Sequence, residues 1–171
     1  YIIIFGFICL LATLLNNQIL QVMSSPKYQS ASVYVPIILF SALFYGYYFM
    51  FSSAIFHHKK TLWIPMMTGL TALINIGLNM VLIPSYGAIG SAWATLVSYV
   101  VLALVSYFMG QKLQHVRYPI IHYLVINMII FLAVLVSTYP IFIGWNDLLI
   151  KLTLLILFFL AATSFVNRSQ T

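Results

Sequence analysis

A bundle of six membrane-spanning α-helices is the fold this sequence predicts, and three observations predict it. The 171 residues are 64% hydrophobic and 5% charged, with a mean hydropathy of +1.10. A soluble domain carries about a quarter charged residues, so water is the wrong solvent for this chain. The apolar residues fall in continuous runs, as at 148–166 and 97–108, and do not alternate at period two. In lipid every backbone polar group must be satisfied within the protein, and continuous runs then select helices over a closed barrel.

The runs place spans at about 1–23, 33–56, 61–83, 87–110, 119–140 and 148–166, in a single transmembrane region covering 1–171. Each is long enough for a hydrocarbon core of about 30 Å at about 1.5 Å per residue. The first span opens Tyr1-Ile2-Ile3-Ile4-Phe5, without a basic n-region, and reads as a cut through a longer protein rather than a signal peptide. Ser24-Ser25-Pro26-Lys27 ends it. The second ends at the basic run His57-His58-Lys59-Lys60. Pro84-Ser85-Tyr86 separates the third and fourth spans, and so short a link predicts an antiparallel hairpin. Residues 111–118 close the fourth, Pro119 suits the first position of the fifth helix, and 141–147 lead into the sixth.

Charge gives the orientation. Lys59, Lys60, Lys112, Arg117 and Arg168 collect on one side, whereas Lys27 and Lys151 fall on the other. The positive-inside rule makes the first side, with the C-terminus, cytoplasmic. Trp63, Tyr118, Tyr139 and Trp145 sit near the expected interfaces, as an aromatic belt should. Seven Lys and Arg against one acid, Asp147, form no stripe or patch, which argues against nucleic acid. One acid supplies no carboxylate pair, and the single cysteine, Cys9, has neither a disulfide partner nor a plausible histidine. His57, His58, His115 and His122 match no metal or nucleophile motif, so no enzyme, cofactor or metal is expected.

The polar residues inside the spans are the candidates for function. Thr68, Ala72, Asn75 and Asn79 share one face of the third span. The two amides either face a hydrated substrate cavity or bond a neighbouring helix. In the second span Ser41, Tyr45, Tyr48 and Ser52 form a stripe suited to a sugar or amphipathic substrate, and equally to packing. Asn16, Asn17, Gln18 and Gln21 at the outer end of the first span read as a hydrated vestibule or as a helix end entering the headgroups. Gly87, Gly90, Ser91, Ala94 and Ser98 read as a small-residue packing face. Lys59, Lys60, Lys112 and Arg117 either set topology or meet a phosphate. No acid lies within a span, where proton and sodium coupling usually need one.

The stretch Asn75-Ile-Gly-Leu-Asn79-Met-Val-Leu-Ile-Pro84-Ser-Tyr-Gly87-Ala-Ile-Gly90-Ser-Ala-Trp-Ala-Thr95-Leu-Val-Ser98 resembles the C-terminal region of the polysaccharide transporter family. These are the O-antigen and capsule repeat-unit flippases of the multidrug/oligosaccharidyl-lipid/polysaccharide exporter superfamily. Pro26-Lys27-Tyr28-Gln29-Ser30-Ala31 looks like the family's Tyr-x2-Ala element, although Ser24-Ser25 stands where a glycine is often found. The resemblance implies a MATE-like exporter fold of about fourteen helices in two lobes, of which these are the last six, working by alternating access. It implies a lipid-linked oligosaccharide on an undecaprenyl pyrophosphate carrier as cargo, a bacterial inner membrane as location, and a polysaccharide polymerase and glycosyltransferases as partners. A multidrug or cation antiporter of the same superfamily, and a non-transporting membrane scaffold, remain the alternatives.

Overall fold

The computed structural model describes residues 1–23, 31–138 and 146–169. Lys27, Tyr28, Tyr139 and Trp145 lie outside the described residues, as does the side chain of Arg168. The described residues are helical, with no strand: α1 (Ile2–Leu14), α2 (Asn16–Met23), α3 (Val35–His57), α4 (Trp63–Leu113), α5 (Ile120–Thr138) and α6 (Asn146–Ser169). Among them, α3, α4, α5 and the 149–166 part of α6 are each long and apolar enough to cross a membrane, and α1 with α2 makes a fifth candidate if the bent pair is one span. The fold is therefore all-α and compatible with a membrane-embedded protein.

Two compact units divide the chain, one formed by 1–39 with 118–171 and the other by 40–117. In the first, α1, α5 and α6 pack together around Gly6. A Cβ there would lie 3.3–3.4 Å from Phe158, Ile126 and Ile130, so glycine is what lets the three helices meet. Phe7 adds ring contacts to Phe158 and Phe159 at 6.0 and 5.5 Å. The Ser137 hydroxyl donates to the Thr13 carbonyl at 3.3 Å. Gly6 opposite Ile126 and Ile130, with Thr13 opposite Ser137, makes α1 and α5 parallel. Tyr123 against Phe165 and Ile126 near Phe158 make α5 and α6 antiparallel.

The expected first span, 1–23, is not one straight helix. It bends by 69° at Leu15, where the backbone leaves helical geometry at φ −97°, ψ 8°. The cause is local. Beyond Leu15 the sequence turns from apolar to Asn16-Asn17-Gln18, and the Asn16 side chain, 2% exposed, is drawn inward to donate to the Ser32 carbonyl at 2.7 Å. A hydrogen bond to a residue beyond the helix ties α2 down at an angle that a continuous span would not allow.

In the second unit the element Trp63–Leu113 counts 51 residues, which as a straight rod would reach about 77 Å, far beyond a bilayer. It is folded back on itself. Gly87, at φ 59° and ψ −137°, interrupts the helical geometry, and Pro84 withholds a backbone donor just before it. Two arms result, 63–86 and 88–113. Met67 lies against Ser106, Asn75 against Ser98 and Leu82 against Gly90, the steady pairing of an antiparallel hairpin. α3 runs parallel to the second arm, with Tyr45 on Tyr99 (ring centroids 5.0 Å), Phe51 on Tyr107 (5.3 Å) and the Phe51 carbonyl 2.6 Å from where a Cβ on Gly110 would stand. Tyr48, Ile55, Met67 and Leu102 form the buried centre of this three-rod unit.

Gly87, expected in the packing stripe, sits instead at the reversal. It is exposed, with open space where a Cβ would be, and its contribution is a backbone conformation that L-residues rarely adopt. Gly90 is the contact glycine: any Cβ there would collide with the Leu82 backbone. Met67 Sδ lies 4.0 Å from Ser106 Oγ across the arms, so Met67→Cys and Ser106→Cys, in a Cys9→Ser background, are expected to form a cross-link under oxidation. Gly90→Leu should abolish it and Gly87→Ala should weaken the hairpin by about 1–3 kcal/mol. Gly69→Ala and Gly77→Ala, with nothing within 4 Å of the added Cβ, should leave it intact. Cross-link yield on a non-reducing gel reads all four.

Candidate functional site

The hairpin register decides which polar residues meet. Asn79 donates through Nδ2 to Asn75 Oδ1 at 2.9 Å. Asn75 donates through its own Nδ2 to Ser98 Oγ at 3.3 Å, and Ser98 donates to the Ala94 carbonyl at 2.7 Å. The two amides on one arm thus end on a hydroxyl of the other, in a relay with a single direction. Asn79 Oδ1 at its open end is buried without a partner. Asn79 also borders a shallow depression with Ile76, Met80, Ile83 and Pro84. Asn75 thus bonds across the hairpin, and Asn79 is the member of the pair whose Oδ1 has no partner.

Thr68 does not join the relay. Its hydroxyl returns to its own helix, at the Ile64 carbonyl (3.0 Å), as Thr95 does to Ser91 (2.9 Å). Such back-bonds satisfy a hydroxyl in an apolar medium without a second helix. Ala94 and Ser98 are fully buried and Ser91 half-buried, so this face of the second arm is a packing face.

The stripe on α3 is divided. Ser41, Tyr48 and Ser52 are buried, at 1%, 5% and 0% exposure, whereas Tyr45 is 40% exposed. Tyr45 is the hub of an aromatic cluster: its ring lies 5.7 Å from Tyr48, 5.0 Å from Phe49 and 5.0 Å from Tyr99. Tyr99 was not singled out by sequence reasoning. The signal lay in its position next to Ser98, but only the parallel pairing of α3 with the second arm brings it to Tyr45. Tyr45 is the exposed member of this group, and a tyrosine combines an apolar ring with a polar hydroxyl.

In the other unit the amides at the start of α2 separate. Asn16 is consumed by Ser32, while Asn17 and Gln21 line, with Leu20 and Ser32, a hollow of about 240 Å³. Lys59, Lys60, Lys112 and Arg117 are all exposed, and no Asp, Glu, Lys or Arg lies between Lys60 and Lys112. Among the described residues no group of three or more His, Cys, Asp or Glu is placed to hold a metal.

Among the described residues these features define a class: an all-helical protein with membrane-length helices, whose second unit carries amides and hydroxyls and no charge between Lys60 and Lys112. No family model, curated protein or solved structure matches it.

The relay has a measurable consequence. A double-mutant cycle on Asn75→Ala and Ser98→Ala should give a coupling of about 0.6 kcal/mol, the ordinary worth of an interhelical hydrogen bond in a bilayer. Thr68→Ala combined with Ser98→Ala should be additive. Reversible unfolding in bicelles measures both cycles.

Proposed function

We propose that this chain is part of a flippase that carries a lipid-linked oligosaccharide, on an undecaprenyl pyrophosphate carrier, across a bacterial inner membrane for surface polysaccharide assembly. The observation that supports it most is the chemistry of the second unit. From Thr61 to Gln111 the chain is uncharged; beside it Tyr45 stands exposed against Tyr48 and Tyr99, and Asn79 lines a shallow depression with Ile76, Met80, Ile83 and Pro84. A neutral glycan is rich in hydroxyls and flat on its C–H faces. Tyrosine rings and amides can lower its cost of leaving water without the strong grip of a buried charge, which would oppose release. The resemblance over 75–98 points the same way, and with it come a MATE-like fold completed by further helices, a cytoplasmic C-terminus, and a polymerase and glycosyltransferases as partners.

Deleting the gene in its native host should abolish surface polysaccharide and leave its lipid-linked precursor on the cytoplasmic leaflet. Unchanged glycan display with raised sensitivity to cationic drugs would replace this reading with an antiporter. At the residue level, Tyr45→Cys in a Cys9→Ser background should react with a membrane-impermeant maleimide, and Tyr45→Ala should cut glycan export several-fold while leaving protein abundance unchanged. A Cys at position 45 that stays inert in every transport state would leave a scaffold as the better account.

A further inference from the structure

A hollow of about 270 Å³ opens at the end of the second unit where α3 stops and α4 both begins and ends. Its lining is Ile55, Lys60, Trp63, Met109, Lys112 and Leu113. Two cations from opposite ends of α4 thus share one apolar-walled recess. The unit 40–117 contains no Asp or Glu, so neither lysine has a carboxylate partner within it.

Lys60 is held there by an expensive turn. The Lys60 N–H donates to the Ile55 carbonyl at 3.1 Å and the Lys59 N–H to the Phe56 carbonyl at 3.0 Å, which is the paired bond pattern of a Schellman helix stop. The left-handed position of that motif, ordinarily a glycine, is Lys59 at φ 56°, the one non-glycine residue with positive φ among those described. The motif brings the residue after the stop back over the last turn of the helix, and here that residue is Lys60, lying beside Ile55 in the recess. The Trp63 N–H then donates to the Lys60 carbonyl at 3.1 Å, tying the loop to α4. On the far side Gln111 fixes the end of the second arm: its Nε2 donates to the Val116 carbonyl at 2.6 Å and its Oε1 accepts from the Val116 N–H at 3.2 Å. Both lysines are therefore carried on hydrogen-bonded backbone.

We propose that this recess binds the phosphate of an anionic phospholipid, with Lys60 and Lys112 on the headgroup and Ile55, Met109 and Leu113 against the upper acyl chain. A free phosphate would satisfy the two ammonium groups but leave the apolar wall wet. A lipid satisfies both, and an indole such as Trp63 is at home at headgroup depth. The inference rests on membrane embedding but not on the cargo, so it stands or falls separately from the flippase reading.

The test uses the intact protein with every tryptophan but Trp63 changed to Phe, Trp93 and Trp145 among them, in phosphatidylcholine nanodiscs, so that Trp63 is the fluorescent reporter. Tail-brominated phosphatidylglycerol should quench Trp63 at a mole fraction at least about fivefold lower than brominated phosphatidylcholine. Lys60→Gln and Lys112→Gln should each lower that preference about fivefold, the effect of one lysine near an anionic surface. Lys59→Gly, which removes an adjacent charge and suits the left-handed turn, should preserve it. The Met67→Cys/Ser106→Cys cross-link, introduced into each variant with Cys9→Ser, reports that the hairpin is intact. Equal quenching by the two lipids overturns the proposal. So does a loss with Lys59→Gly as large as with Lys60→Gln, which would mean only a diffuse surface charge. Relief of quenching by millimolar inorganic phosphate, but not by sodium chloride of equal ionic strength, would reassign the recess to a soluble anion.

Discussion

Much of the second unit follows from the close approach of two backbones, Gly90 against Leu82. Helices in lipid gain little from hydrophobic association, because the lipid tails are as apolar as the side chains, so van der Waals contact and specific hydrogen bonds must set the pairing. At Gly90 the arms touch with no side chain on the glycine side, and any Cβ there would meet the Leu82 backbone. With the arms in this register, Asn75 falls opposite Ser98 and Met67 opposite Ser106. The same register returns the end of α4 to its beginning, so that Lys60 and Lys112 border one recess. A shift by one residue would rotate Asn75 away from Ser98 and leave two amides facing lipid, at a cost no other nearby group offsets.

Polar groups in this unit are handled economically. Serine and threonine hydroxyls at 68, 71, 95, 98 and 106 all donate to carbonyls of their own helix, which closes them without a partner helix. The Asn75 amide instead crosses between the arms to Ser98, and Ser106 also reaches Met67 Sδ at 4.0 Å. The outcome is a hairpin with the Asn79–Asn75–Ser98 relay near its middle and an apolar exterior, where Leu73 and Met80 are 69% and 73% exposed. Such an exterior needs an apolar surrounding, whether lipid or another helical body.

How much of this was legible in the sequence depends on the range of the interaction concerned. Helix content and the hairpin were legible, because composition and a Pro-Ser-Tyr-Gly link act locally. The division of labour between Gly87 and Gly90 was not, since both are small and only the backbone geometry separates a turn residue from a contact residue. The bend at Leu15 was hidden because it depends on Asn16 reaching Ser32, sixteen residues away. Tyr99 was missed for the same reason: its partner Tyr45 is on another rod, and periodicity along one helix says nothing about the rod beside it. The stripe on α3 had the right period, but burial of Ser41, Tyr48 and Ser52 shows that most of it faces protein, and Tyr45 alone of the four is exposed.

Helix direction supplies a check that uses none of these side-chain roles. In a chain that crosses a bilayer repeatedly, odd passes run one way and even passes the other. Within the first unit α1 and α5 are parallel and α6 opposes α5. With α4 counted as two passes, these are the first, fifth and sixth, and the parity is the required one. Within the second unit α3 runs with the second arm and against the first, as the second, fourth and third passes must. Counting α4 as one pass would make α5 the fourth and reverse its expected direction relative to α1, in conflict with the contacts of Gly6 with Ile126 and Ile130 and of Thr13 with Ser137.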